Sequence, residues 1–147
     1  MRIADICTSN PIHIAASVRD AASLMRHRHV GALVVLGTAN GDRAPVGILT
    51  DRDIVVSLVV EGVDPDTLQV SDVMTREVAT CGEDQDLFDA IGTMRRNGVR
   101  RLPVLDAAGE LTGMVSADDI YGAIGAHLSE LGQALTREQV REMQTRI

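Results

Sequence analysis

At 147 residues, with 45% apolar and 24% charged side chains, the chain has the length of one domain or of two small halves sharing a core, and its composition is neither disordered nor membrane-spanning. All 14 basic residues are Arg, so a Schiff-base lysine, a pyridoxal-phosphate anchor and a Walker lysine are excluded together. A net charge of -7, one Phe, one Tyr and no Trp argue against broad attraction to nucleic acid or anionic lipid and against base stacking.

No signal-like run opens the chain and no apolar stretch approaches about 18 residues, so a cytoplasmic protein without membrane contact is expected. Cys7 and Cys81 lack Cys-x-x-Cys spacing and read as buried thiols. Residues 3–7 read as a short helical turn, matched later by residues 70–74, and each is followed by Thr. Residues 10–14 are extended, because Asn10 precedes Pro11. Ser17 opens a helix with Val18, Ala21, Ala22 and Met25 at i, i+3, i+4 and i+7. Shifted by 69 residues, Asp86 opens a second helix with Leu87, Ala90, Ile91 and Met94.

The same shift relates two strands, residues 30–36 and 99–105. A turn-rich hairpin loop follows the first, over residues 37–45, and a shorter one follows the second, over residues 106–110. Beyond these loops the shift falls to 66. Gly47-Ile48-Leu49-Thr50-Asp51-Arg52-Asp53-Ile54 then recurs as Gly113-Met114-Val115-Ser116-Ala117-Asp118-Asp119-Ile120. Each copy reads as a strand end followed by a hydroxyl N-cap and a helix. Each half is therefore strand, helix, strand, strand, helix. Residues 61–68 read as a surface linker, and Thr136-x-x-Gln139 as a capping box for a separate terminal helix through Arg146, placed on a partner subunit or loosely on the surface.

With two such sets in register, the chain resembles a tandem pair of CBS domains, the arrangement called a Bateman module, of the short freestanding bacterial type. The resemblance rests on residues 29–35 and 47–54 in the first repeat and on Asp72-Val73-Met74-Thr75, residues 97–104 and residues 113–120 in the second. It implies an α/β (α+β) fold of two β-α-β-β-α repeats packed through their sheets about a pseudo-two-fold axis, plus a C-terminal helix. The expected divisions are repeat 1 over 1–60, a linker over 61–69, repeat 2 over 70–128 and a helical tail over 129–147. The resemblance also implies two clefts for adenosine-type ligands, AMP, ADP, ATP or S-adenosylmethionine, and pairing of modules into a flat disc, a homodimer. No cofactor is required.

A helix N-terminus favours anionic and oxygen-rich groups. In the family, Asp53 or Asp119 takes the ribose diol, and Thr50 or Ser116 donates to ribose or phosphate oxygens. The same residues also form plain helix caps. Arg100 and Arg101 begin a strand where the first repeat has Gly31 and Ala32, and a basic residue there grips phosphate in the family. Two unequal clefts are therefore expected. One uses Ser116, Asp119 and Arg101, closed by residues 10–12 (Asn10 to Ile12) and Gly31. The other uses Thr50 and Asp53, closed by residues 78–80, including Ala79 and Thr80, with Ala32 in place of the Arg.

His27 and His29 lack a third ligand, and Glu83, Asp84 and Asp86 crowd a helix start, so no metal site is expected. No catalytic constellation stands out. The expected function is a non-enzymatic regulatory module that senses adenine nucleotide and signals to an unidentified regulated protein. The alternatives are a structural or protein-interaction module with vestigial clefts and, against the charge balance, nucleic-acid binding through the Arg100 region.

Overall fold

The computed structural model describes residues 1–9, 11–37 and 43–146. A 3-10 turn, Ile3–Asp5, leads into β1 (Pro11–His13), α1 (Val18–Arg28), β2 (Ala32–Leu36), β3 (Pro45–Thr50) and α2 (Asp51–Ile54), which widens into a π turn over Val55–Val59. The order then repeats. A second 3-10 turn, Val70–Asp72, leads into β4 (Cys81–Gly82), α3 (Leu87–Asn97), β5 (Arg101–Leu105), β6 (Leu111–Ser116) and α4 (Ala117–Thr145). The sheets run β1-β2-β3 and β4-β5-β6, each with one parallel and one antiparallel pairing. The expected β-α-β-β-α order thus holds in both halves.

Local chemistry sets the helix limits. Ser17 accepts the Asp20 N–H at 3.0 Å to start α1, and Asp86 accepts the Phe88 N–H at 2.8 Å to start α3. Both helices end on a left-handed residue, His29 (φ 55°) and Gly98 (φ 64°), whose N–H groups bond back to Met25 and Met94. His29 is therefore a helix terminator.

Apolar residues form three clusters. Ala21, Met25, Leu33, Val35 and Leu49 make the core of the first half; Leu87, Ala90, Met94, Leu102, Val104, Val115 and Ile120 make that of the second. Ala32, Val34, Leu111 and Met114 join the two sheets. The lead-in turns are exchanged. Ile3, fully buried, completes the second core, while Val70 and Met74 complete the first. Backbone bonds fix the exchange: Ile3 N–H to Gln85 O at 3.1 Å and Ala4 N–H to Glu83 O at 3.0 Å on one side, Val70 N–H to Ala16 O at 2.8 Å on the other.

Behind each turn the chain crosses the other half's third strand. Ile48 and Thr75 exchange backbone bonds of 3.0 and 2.9 Å, and Thr8 pairs with Met114 in the same way. The crossing runs over Gly47 and Gly113. A Cβ on Gly113 would lie 2.8 Å from Cys7 Sγ and 2.9 Å from Thr8 O; one on Gly47 would lie 2.8 Å from Thr75 O.

One expected element is corrected. Thr136 starts no separate helix, because α4 runs unbroken from Ala117 to Thr145 and the Thr136 hydroxyl donates to Gly132 O at 3.1 Å. A residue already inside a helix has its backbone committed, so its hydroxyl turns back on the preceding turn. Most of the first hairpin loop, residues 38–42, lies outside the described residues.

Gly113→Ala should cost about 1–3 kcal/mol by overpacking. Gly122→Ala, in an α4 position with nothing within 4 Å, should instead gain up to about 1 kcal/mol. Urea unfolding of the two variants checks both signs. Burial pushes the Cys81 thiol from 9.0 up to about 11, and nearby Cys7 adds to the rise. The folded state holds this proton more tightly, so the stability it contributes is intact below about pH 9 and is lost as pH rises through about 11. Cys81→Ala should flatten the alkaline fall of the urea midpoint over that window.

Candidate functional site

The two junctions place a hydroxyl residue at the start of α2 and of α4, with an acid one turn in. Asp53 Oδ2 accepts the Thr50 N–H at 2.9 Å while Thr50 Oγ1 accepts the Asp53 N–H at 3.1 Å. Ser116 and Asp119 repeat these bonds at 2.9 and 3.1 Å. Both are full capping boxes, so the cap reading holds. The cap leaves chemistry over. Each hydroxyl retains its own O–H to donate, and each carboxylate uses one oxygen.

The strand opposite each junction differs. Thr50 faces Ala32 across the β2–β3 ladder, and Ser116 faces Arg101 across β5–β6. One position earlier, the carbonyl of Gly31 accepts the Asp51 N–H and that of Arg100 accepts the Ala117 N–H, at 3.0 and 2.8 Å. Gly31 and Arg100 are thus equivalent in backbone. A Cβ on Gly31 would sit 3.1 Å from Asp51 Oδ2, a tight approach that Arg100 does not face at Ala117.

A cavity of about 270 Å³ opens where the halves meet. Ile48 and Thr50 of β3 form one wall, residues 77–79 with Thr75 another, and Val99, Arg100 and Arg101 the third. Its size approaches the lower range of small-molecule sites. Here the expected pairing is corrected. Arg101 is expected in the Ser116 cleft; together with Arg100 it lines the cavity of Thr50 instead, although it remains the register partner of Ser116. The start of β5 stands at the boundary between the halves, so its side chains serve a cavity built partly from the other half.

The two arginines are not alike. Arg100 is exposed and reaches Asp118 at 3.5 Å. Arg101 is half-buried and makes no ion pair among the described residues. Alternation on a strand accounts for this one-in, one-out arrangement. Ala79 lines the cavity and packs on the second core; Thr80 is exposed and outside the lining, as is half-buried Asp53. Ile12 packs on the first core, and Asn10 lies outside the described residues.

Thr75, Ile48, Val99 and Glu77 were not anticipated. Glu77 had a signal in the spacing. Thr8 and Thr75 occupy equivalent crossings, as do Ile12 and Cys81 on their strands, so the second lead-in is two residues longer than the first. The extra length carries Glu77 in the left-handed conformation, φ 56°, at the cavity wall. A larger groove of about 400 Å³ lies elsewhere, between α3 and α4.

The chain matches the CBS domain twice, over residues 3–60 and 70–126. The CBS domain-containing protein YhcV of Bacillus subtilis is 36% identical over 121 residues, covering 82% of this chain and 81% of that protein. Protein MK0525 of Methanopyrus kandleri is 35% identical over 116 residues, 79% of this chain, and the chain spans only 56% of that relative's length. A signal-transduction protein with CBS domains from Burkholderia ambifaria superposes with a TM-score of 0.73 at 28% identity, covering 86% and 95% of the two chains. PAE2072 of Pyrobaculum aerophilum, a CBS domain protein in complex with AMP, superposes with a TM-score of 0.71 at 23% identity, covering 81% and 89%, a likeness of fold.

Thr50→Ala should cost about 1 kcal/mol of stability through loss of the cap. Thr50→Ser, which keeps the acceptor, should recover most of it in the same thermal melts.

Proposed function

The chain belongs to the CBS-domain family, and on that premise we propose that it is a non-enzymatic regulatory module that binds an adenine nucleotide between its two repeats. One observation supports this reading: a pair of arginines from the second repeat, Arg100 and Arg101, shares a cavity with the helix-opening Thr50 of the first. The half-buried Arg101 guanidinium is the principal phosphate ligand, and Arg100 can add a second fork once it leaves Asp118. Thr50 donates to a ribose or phosphate oxygen. Asp53, outside the cavity lining, accepts the Thr50 N–H and so holds Thr50 in place. Ile48, Val78 and Ala79 supply the apolar wall for the base. Two Arg residues and no matching acid pair favour a phosphate-bearing ligand over S-adenosylmethionine.

The Ser116–Asp119 junction has the same capping box, and the symmetry of the repeats gives its counterpart cleft Gly31 and Ala32 in place of the two arginines. It takes a less charged adenosine-type ligand or none. Because the Thr50 cavity is walled by both repeats, a bound nucleotide bridges them. A ligand with different affinity for two arrangements of the repeats shifts their populations, and that shift is the signal passed to a partner protein. The AMP found in PAE2072 accords with this reading at the level of fold.

Isothermal titration with AMP, ADP, ATP, S-adenosylmethionine and adenosine tests it. At least one nucleotide should bind. Arg101→Ala should weaken nucleotide binding by about tenfold or more, the loss of a charge-assisted hydrogen-bond pair, with little effect on adenosine. Flat titrations with all five overturn the proposal.

A further inference from the structure

Helix α4 does not end with the second repeat. The CBS match stops at residue 126, while α4 continues to Thr145, and every described residue from Gly125 onward is exposed. About 30 Å of helix, at 1.5 Å per residue, therefore stands clear of the body. Its apolar residues are ordered. Tyr121, Ile124, Leu128, Leu131 and Leu135 follow a 3-4-3-4 spacing, which puts them on one seam of a coiled coil. Four of them are more than half exposed: Tyr121 75%, Leu128 63%, Leu131 58% and Leu135 55%. The seam runs into the 400 Å³ groove between α3 and α4, which Tyr121 and Ile124 help to line.

We infer that this stem pairs antiparallel with the stem of a second copy of the chain. In an antiparallel pair the a and d positions alternate across the axis. Leu128 then faces Leu131 of the second copy, and Ile124 faces Leu135, so four of the five seam residues satisfy one another in both directions. The fifth, Tyr121, meets Glu138, and Ala117 meets Glu142. The charges favour this direction. Glu138 and Glu142 continue the seam spacing, and a parallel pair would stack each against its own copy, a repulsive arrangement. Antiparallel pairing brings them to the groove of the second copy, whose lining includes Arg95 and Arg100.

The flanking residues agree. Gly125 and Gly132 flank the seam seven residues apart, have nothing within 4 Å and allow two backbones to approach closely. The stem lies beyond the CBS match, so its pairing does not rest on the nucleotide reading.

Sedimentation equilibrium of the full chain over a concentration series is the test. The wild type should be dimeric. Leu128→Asp/Leu131→Asp, which leaves all three apolar clusters untouched, should shift the dimer dissociation constant by at least about tenfold while the far-ultraviolet circular dichroism of the repeats persists. Glu138→Arg should weaken the dimer several-fold, and adding Arg95→Glu should restore it. A monomeric wild type, a dimer unchanged by the double Asp substitution, or a dimer tightened by Glu138→Arg alone each overturns the inference.

Discussion

The fold depends on two crossings in which the lead-in of one repeat lies along the third strand of the other. Each crossing is a short antiparallel exchange of backbone bonds, Ile48 with Thr75 and Thr8 with Met114. Two chain segments can approach that closely only where one has no side chain in the way. Gly47 and Gly113 meet that requirement, with the crossing carbonyls within 3 Å of where a Cβ would stand. The exchange then carries Ile3 into the second core and Val70 into the first. Neither half is complete alone, because each lacks a fully buried side chain that only the other's lead-in supplies.

The crossing also determines what stands at the Thr50 cavity. The lead-in that crosses Gly47 continues as residues 77–79 past Thr50, and it belongs to the repeat that carries Arg100 and Arg101. A helix cap from one repeat and cations from the other are therefore brought together by the feature that locks the repeats. Site and scaffold cannot move independently. The departure from symmetry at this place, two additional lead-in residues and Arg-Arg in place of Gly-Ala, makes the two junctions chemically different although their caps match to 0.1 Å.

The order of elements was readable in the chain because a residue shift of 69, falling to 66, relates the main helices and strands of the two repeats. The exchange of lead-ins was not readable. Residues 3–5 and 70–72 form the same local turn whichever core receives them, and the choice is made by long-range packing. At the start of β5, Arg100 is exposed and Arg101 half-buried. Which cavity received Arg101 was decided by the position of the other repeat, which no local pattern encodes. At Thr136 the local signal was present but overridden. A capping box needs a chain free to leave the helix, and α4 is already committed on both sides of it.

The capping boxes keep both junctions satisfied with the cavity empty. Thr50 and Asp53 satisfy each other's backbone N–H groups without any ligand, as do Ser116 and Asp119, and among the described residues no buried side-chain polar atom is left without a partner. An empty cavity thus carries no penalty of unmet hydrogen bonds. What remains unpaired is charge. Arg101 is partly withdrawn from water and makes no ion pair among the described residues, a position whose cost an anion would relieve. The free energy available to a ligand therefore resides mainly at the arginine of the second repeat, while the contacts that hold it in place belong mainly to the first. An anion at Arg101 would act at the boundary between the two repeats, where a local charge can alter their relative arrangement.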